Sequence, residues 1–169
     1  MKFEYLEYIS PLQGDIKTRK SVFERVHNKQ FGFALDSNVF RNQDFSNYLI
    51  FHKEHIQFFL PSIVQAEVGY YYRAKGLSWE DFITDLNDFE CILLSGNIIQ
   101  IPELIEIAYM NKTNLPFREH FRDYMIGLEC KSLGLPLITS NIRHFQWSKL
   151  ENQTPEEFVK KFPIEFQKK

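Results

Sequence analysis

The stretch Gln30-Phe-Gly-Phe-Ala-Leu-Asp36 decides the fold class of this sequence. It is a short apolar run that ends on a carboxylate, which is the pattern of a buried strand. A second run of this kind, Ile56-Gln-Phe-Phe-Leu60, stops at Pro61, and residues 46–53 between the two runs have the pattern of a helix. The sequence therefore predicts a strand, helix, strand unit that carries Asp36 at the carboxyl end of its first strand.

The rest of the chain continues this alternation. Strands are predicted over residues 97–101 and 135–139. Helices are predicted to begin with Pro102, over residues 117–133 before Gly134, and with capping boxes formed by Ser62 and Gln65, Ser78 and Asp81, and Thr154 and Glu157. Such alternation predicts an α/β domain in which a mostly parallel sheet is covered by helices on both faces.

The composition is that of one ordered domain of 169 residues with room for a short appendage. The longest uncharged apolar-rich stretch, residues 91–101, is too short to cross a bilayer, and no signal segment opens the chain. Cys91 and Cys130 form no CxxC motif, so we expect two core thiols in a reducing compartment. These features predict a cytoplasmic protein that does not enter a membrane.

The charges are unevenly distributed along the chain. Residues 1–30 hold six basic and four acidic side chains, a net charge of +2, whereas the remainder has a net charge of −4. The total of −2 gives no overall field that would attract nucleic acid. A basic leading segment beside an acidic body is either a solvated surface arm or a means of holding a phosphate backbone near a carboxylate site.

Polar side chains follow the predicted strands at the edge where parallel sheets form their functional clefts. Asp36 ends the first strand, Glu67 follows the second strand across Pro61, and residues 139–141 end the last one. Asp123 lies near the amino end of its predicted helix, where backbone N–H groups favour a negative charge. Carboxylates beside a core must be paired, protonated or bound to a cation, so convergence of these positions predicts a site.

Four blocks of sequence occur in a characteristic order: Leu35-Asp36-Ser-Asn38-Val, Pro61-Ser62 through Glu67, Phe121-Arg122-Asp123-Tyr-Met-Ile-Gly, and Gly134-Leu-Pro-Leu-Ile-Thr139-Ser-Asn141 with His144-Phe145. This ordered set resembles the PIN-domain ribonucleases of the VapC-like group over about residues 31–147. The resemblance implies a three-layer α/β/α PIN-like domain at residues 31–169, preceded by an N-terminal extension at residues 1–30. It also implies a Mg²⁺- or Mn²⁺-dependent hydrolase that cleaves RNA.

The resemblance assigns roles to particular side chains. Asp36, Glu67 and Asp123 would be the catalytic acids that hold the metal, since Mg²⁺ prefers hard oxygen ligands and keeps several waters. Asn141 stands where the family often has a fourth acid, and its amide supplies an oxygen without a charge, so we expect one firmly held metal. Side chains expected to orient ligands or contact substrate are Asn38, Thr139, Ser140 and Arg143.

Each assignment has a structural alternative. Asp36 would serve equally as the cap of a turn, residues 62–67 as an ordinary helix start, and Asp123 as the partner of Arg122. Residues 70–72, three consecutive tyrosines, are predicted to be core and interface positions, with a platform on which RNA bases stack as the alternative. The histidines show no HxxxH spacing, and His144 is predicted to be a surface or packing residue.

Three functions remain open from the sequence. The first is a metal-dependent endoribonuclease, either a toxin with a cognate antitoxin or an RNA-processing enzyme. The second is a catalytically weakened PIN domain that acts as an RNA-binding or assembly module, which the amide of Asn141 allows. The third, a phosphotransfer domain, is the weakest, because Asp36-Ser-Asn38 lacks the second aspartate of a DxD motif.

The extension and the aromatic-rich helices predict contacts with partners. Compact toxin-type members begin close to the first strand, whereas this chain has about thirty residues before it. We expect these residues to form an RNA-contacting arm, a dimer contact or a partner-binding element, with a short helix capped at residues 21–24. The aromatic-rich helices predict self-association into a homo-oligomer.

Overall fold

Strand β1 (Phe31–Leu35) lies inside a four-stranded sheet and pairs in parallel with both of its neighbours. The computed structural model describes residues 8–15, 17–18, 20–21, 24 and 29–164. The other strands are β2 (Ile56–Leu60), β3 (Ile92–Leu93) and β4 (Leu137–Ile138), in the spatial order β3-β2-β1-β4. All the pairs are parallel, which confirms the predicted α/β class with its mostly parallel sheet.

The helices alternate with these strands. They are α1 (Gln43–Ile50), α2 (Ser62–Ala74), α3 (Trp79–Asp88), α4 (Ile101–Met110), α5 (Phe117–Leu133) and α6 (Pro155–Lys161), with 3-10 helices at Pro11–Gln13, Ser37–Arg41 and Ile142–Ser148. Both predicted capping boxes at the starts of α3 and α6 are confirmed. Helix α5 has the predicted bounds and ends at Gly134, whose φ of 63° lies in the left-handed region.

Two local predictions are wrong. Residues 97–101 form no strand, because the buried run that pairs with β2 lies earlier, at residues 91–94, and Ile101 already belongs to α4. Ser62 and Gln65 form no capping box, since the N-cap of α2 is Pro61, which makes no side-chain capping hydrogen bond. Instead, Nε2 of Gln65 donates to the carbonyl oxygens of Leu60 and Leu94, at 2.9 and 2.7 Å, and so ties α2 to the sheet.

Part of the predicted extension packs against the sheet. Ile9 is 1% exposed and forms an antiparallel bridge with Leu94, while the N–H of Ser10 donates to the carbonyl of Leu93 at 2.7 Å. These contacts cover the outer edge of β3, which would otherwise present unpaired backbone groups. The predicted helix at residues 21–24 includes Val22 and Phe23, which lie outside the described residues, so it stays a prediction.

Aromatic packing fixes one face of the sheet. Phe158 of α6 meets Phe33 of β1 and Phe45 of α1 edge-on, with ring centroids 5.5 and 5.9 Å apart. Both thiols, Cys91 and Cys130, are buried and free, as predicted. In the part of the chain that the structure describes, none of the helices has the length and apolar character that crossing a membrane requires.

Candidate active site

The candidate site lies beyond the carboxyl ends of β1 and β4. The chain leaves β1 towards β2 on one side and later adds β4 on the other, so the two strands flank a point where the order of the sheet reverses. Leu35 is paired with Ile138, and the N–H of Asp36 donates to the carbonyl of Ile138 at 3.1 Å. This pairing brings Asp36 and Thr139 to adjacent strand ends.

Asp36 is fully buried, and four donors surround its carboxylate. Oδ1 accepts from the N–H of Ser37 at 2.7 Å and from Nη2 of Arg122. Oδ2 accepts from the Thr139 hydroxyl at 2.7 Å and from Nδ2 of Asn38 at 2.9 Å. Because every one of these partners donates, the arrangement fixes the orientation of the carboxylate.

The guanidinium of Arg122 lies at the centre of the three predicted acids. It contacts Asp36 through Nη2, Glu67 through Nε, and Oδ1 of Asp123 through Nη1 at 3.0 Å. Burial acts to lower the pKa of Arg122, but these carboxylates outweigh it and raise the pKa above its ordinary value. One positive charge therefore faces three carboxylates, which leaves an excess of two negative charges when all three are ionised.

Glu67, in the second turn of α2, is the most accessible of the three acids. Its side chain is 33% exposed and lines a cleft of about 480 Å³ together with Ser37, Asn38, Tyr70, Tyr71, Arg122 and Asn141. Oε1 contacts Arg122, whereas Oε2 is buried and has no hydrogen-bond partner among the described residues. A buried carboxylate oxygen without a donor is the atom of this site best placed to accept a ligand.

The second oxygen of Asp123 faces two histidines that sequence reasoning did not assign to the site. Oδ2 lies 2.9 Å from Nδ1 of His120 and 2.9 Å from Nδ1 of His144. The spacing of His120 and Asp123, three residues apart on a helix, was a usable signal, since such residues share one face. His144 comes from the 3-10 helix after β4, so its approach to Asp123 depends on the fold.

The remaining predicted residues are divided between two clefts. Asn38 and Thr139 hold Asp36, and the exposed Ser140 donates its N–H to Oδ1 of Asn38 at 3.3 Å. Asn141 lines the cleft beside Glu67, and its N–H donates to the hydroxyl oxygen of Thr139 at 3.0 Å. Arg143 instead lines a second cleft, of about 510 Å³, with His120, His144 and Trp147.

Asp123 is not stabilised in the way that the sequence predicted. It lies in the second turn of α5, beyond the unpaired N–H groups of the first turn. Its charge is balanced by Arg122 and contacted by the histidine rings, so side chains replace the expected effect of the helix end. The adjacent pair of Arg122 and Asp123, foreseen as a structural alternative, is thus present within the larger cluster.

A further buried acid, Glu129, has a structural setting. Its Oε2 accepts from the N–H and the hydroxyl of Ser62, at 2.9 and 3.0 Å, and its Oε1 accepts from the N–H of Gly96 at 3.1 Å. Burial raises the pKa of Glu129, and these hydrogen bonds oppose the rise only in part. Glu129 therefore joins α5 to the start of α2 and to the turn after β3. It accepts the N–H of Ser62, the group that Gln65 would have bonded in the predicted capping box.

Neither a protein-family model nor a curated protein matches the chain. The donor set itself fits a hard divalent cation. The carboxylates of Asp36, Glu67 and Asp123 each contact a different nitrogen of the Arg122 guanidinium, and Glu67 and Asn141 line one cleft. Oε2 of Glu67 has no hydrogen-bond partner in the part of the chain that the structure describes. These are the oxygen ligands that Mg²⁺ and Mn²⁺ take from proteins, and the excess negative charge favours a cation.

Proposed function

We propose that this protein is a metal-dependent endoribonuclease of the PIN-domain type. The observation that carries the proposal is the convergence of Asp36, Glu67 and Asp123 on a single guanidinium beyond the carboxyl ends of β1 and β4. The resemblance of the ordered sequence blocks to PIN-domain ribonucleases supports it, as does the α/β sheet. A bound Mg²⁺ or Mn²⁺ would supply an activated water and would neutralise charge on the phosphate.

The three acids have different parts in this proposal. Asp36 is held by Thr139, Asn38 and Ser37, so its carboxylate is already oriented before any ligand enters. Glu67 borders the open cleft, and its Oε2 has no donor among the described residues, so it is the acid that would turn towards an incoming cation. Asp123 offers Oδ1, which meets Nη1 of Arg122.

Arg122 balances the acids and can also recognise substrate. Its side chain is 31% exposed and lines the cleft, so its guanidinium is able to turn from the carboxylates to a phosphate group. A planar guanidinium binds phosphate oxygens in pairs, which suits a substrate that carries one phosphate per nucleotide. Arg41, on the same cleft, supplies a second positive charge.

Exposed tyrosines at the cleft favour single-stranded RNA. Tyr70 and Tyr71 are 77% and 46% exposed, contrary to the predicted core position, and only Tyr72 packs inward, against Phe82. Unpaired bases stack on aromatic rings, with a gain of about 1 to 3 kcal/mol per base. An RNA strand whose phosphate lies at Arg122 would therefore place neighbouring bases at Tyr70 and Tyr71.

Purified protein tests this proposal. It is expected to cleave single-stranded RNA with Mg²⁺ or Mn²⁺, to lose activity with EDTA, and to lose it in folded Asp36→Asn, Glu67→Gln and Asp123→Asn variants. Asp88→Asn and Glu106→Gln, at exposed acids outside the cleft, are the matched controls and should retain activity. Activity that survives in both aspartate variants of the site would sink the assignment.

A second candidate function is an RNA-binding or assembly module with little catalytic activity. It is favoured by the guanidinium of Arg122, which already provides a positive charge among the acids, and by the amide of Asn141 in place of a carboxylate. Wild-type protein that binds RNA without cleaving it, and loses binding in Tyr70→Ala, would select this function. A small antitoxin encoded beside the gene would distinguish a toxin from a processing enzyme.

Self-association remains part of the proposal and has a surface that supports it. Ile101, Ile105 and Tyr109 of α4 are each more than half exposed and follow one another at helical spacing on a single face. Monomeric proteins rarely leave such a continuous apolar stripe uncovered. Measurement of the mass in solution, for the wild type and for Ile105→Glu, tests whether α4 forms a contact between copies.

A further inference from the structure

We propose that His120, Asp123 and His144 form a metal site for a borderline divalent cation such as Zn²⁺, next to the acidic cleft and chemically different from it. Two nitrogens and one oxygen converge: Nδ1 of each histidine lies 2.9 Å from Oδ2 of Asp123, and the three ligand atoms lie within 4.8 Å of one another. Ligands about 2.0 to 2.2 Å from a tetrahedral Zn²⁺ lie about 3.3 to 3.6 Å from each other, and the separations here, from 2.9 Å to no more than 4.8 Å, bracket that spacing.

The contact between His144 and Asp123 is not an ordinary hydrogen bond. His120 has hydrogen-bond geometry to Oδ2, but Nδ1 of His144 is buried and has no hydrogen-bond partner in the described part of the chain. The two imidazole rings meet edge to face, with centroids 4.6 Å apart. A buried ring nitrogen that lies beside a carboxylate oxygen without hydrogen-bond geometry leaves both atoms available to a ligand that they would share.

The charges around the trio admit a cation. Oδ1 of Asp123 is engaged by Arg122, which leaves Oδ2 for the metal, so the two oxygens serve different neighbours. The positive charge of Arg122 is more than offset by Asp36 and Glu67, which it also contacts. Arg143, which borders the same cleft, is exposed, and solvent and salt screen its charge.

The ligand types select the class of metal. Imidazole nitrogens suit Zn²⁺, Co²⁺, Ni²⁺ and Cu²⁺, whereas Mg²⁺ takes oxygen ligands, so this trio and the acidic cleft would prefer different ions. Three protein ligands leave one tetrahedral position for water or substrate, which is the arrangement of a reactive zinc site. The cleft of about 510 Å³ lined by His120 and His144 gives that position access to solvent.

The fold holds the ligands from two elements. His120 and Asp123 share a face of α5, and His144 is positioned by the 3-10 helix that Trp147 anchors. Nε1 of Trp147 donates to the carbonyl of His144 at 2.8 Å, and its ring lies over Gly127, where a Cβ would approach a ring carbon to 2.5 Å. Supporting contacts of this kind orient metal ligands, and their loss commonly weakens metal affinity about ten- to a hundredfold.

Metal titration of the whole chain tests the proposal without any RNA. Protein freed of metal with EDTA is titrated calorimetrically with Zn²⁺, and Co²⁺ is used as a second probe whose visible absorption reports the coordination number. We expect one ion per chain, a fourfold-coordinate Co²⁺ spectrum, and affinity that falls by roughly tenfold or more in His120→Ala and in His144→Ala. His55→Ala, at an exposed histidine outside the trio, should bind as the wild type does.

Folding is monitored by thermal unfolding, which also gives an independent readout. Zn²⁺ should raise the Tm of the wild type and of His55→Ala, and should raise it much less in His144→Ala. Absence of Zn²⁺ and Co²⁺ binding by the wild type would overturn the proposal. Equal affinity in the wild type and in folded His144→Ala would overturn it as well.

The outcome is separable from that of the proposed ribonuclease. Glu67→Gln removes an acid of the acidic cleft and leaves His120, Asp123 and His144 intact. It should therefore abolish RNA cleavage and preserve the binding of Zn²⁺. Zn²⁺ binding by a wild type that cleaves no RNA would support the metal site and refute only the ribonuclease. Cleavage with Mg²⁺ by a wild type that binds no Zn²⁺ would refute only the metal site.

Discussion

Arg122 and Asp36 are 86 positions apart in the sequence, and Nη2 of the arginine donates to Oδ1 of the aspartate. Asp36 is fully buried, so its charge depends on partners that the fold supplies. The same guanidinium contacts Glu67 and Asp123, and it is therefore the cation of the site in the absence of a metal. Competition between this internal cation and an added divalent ion is open to measurement.

Replacement of the guanidinium should destabilise the protein and make it depend on metal. In EDTA, we expect Arg122→Met to lower the free energy of unfolding by about 2 to 4 kcal/mol, because a buried carboxylate loses its counter-charge. Mn²⁺ should restore more stability to the variant than it adds to the wild type. Urea unfolding with and without Mn²⁺ measures both effects. Arg118→Met, at an exposed position of the same helix, is the control, and an equal response to Mn²⁺ in Arg122→Met and the wild type would contradict the prediction.

The hydroxyl of Thr139 is the second partner on which Asp36 depends. Thr139→Val removes the donor to Oδ2 and also removes the acceptor used by Nδ2 of Asn38 and the N–H of Asn141. We expect the free energy of unfolding to fall by about 1 to 3 kcal/mol, the range for a buried polar group left without its partner. Thr139→Ser keeps the hydroxyl and should lose clearly less. A Thr139→Val variant as stable in urea as the wild type, or a Thr139→Ser variant that loses as much as Thr139→Val, would contradict the prediction.

The elements that could be predicted are those whose signal is local. Strands β1 and β2 are continuous apolar runs with sharp ends, and α5 ends at a glycine in the left-handed region, so their bounds follow from the sequence. Strand β3 has only two residues and directly follows a helix, and its pairing with β2 is a long-range property. Periodicity does not reveal its position, and the more visible apolar pattern at residues 97–101 wrongly predicts a strand there.

The same distinction holds within the site. Asp36, Glu67 and Thr139 follow strands, so the parallel sheet brings them to one edge, and the sequence places them there. The reach of the Arg122 side chain to three acids, and the approach of His144 to Asp123, depend on how α5 packs against other elements. Such contacts between side chains leave no periodic pattern, so the sequence predicts His144 only as a surface or packing residue and gives His120 no ligand spacing.

Gly127 provides the space that lets Trp147 pack beside α5. A Cβ at this position would approach two ring carbons of Trp147 to 2.5 and 2.8 Å, and the ring belongs to a largely buried cluster. We expect Gly127→Ala to lower the free energy of unfolding by about 1 to 3 kcal/mol through overpacking, although alanine favours helices. Chemical unfolding followed by tryptophan fluorescence measures this change. Ser132→Ala, at an exposed position of α5, should be close to neutral, and equal stability of the two variants would contradict the prediction.

Glu129 gives stability a pH dependence of unusual sign for a carboxylate. Burial raises its pKa in the folded chain above the ordinary value of 4.5, so between these two values the folded state binds more protons than the unfolded state. The contribution of Glu129 to the free energy of unfolding therefore falls as the pH rises through that window. We expect the wild type to lose stability relative to Glu129→Gln as the pH increases upward from about 4.5, in urea unfolding at a series of pH values.

Glu106→Gln, at an exposed glutamate, should show no such trend. The prediction would be contradicted if the stability of the wild type, relative to that of Glu129→Gln, stayed constant or rose with pH. In that case the Ser62 and Gly96 donors would offset or outweigh the effect of burial on the pKa of Glu129.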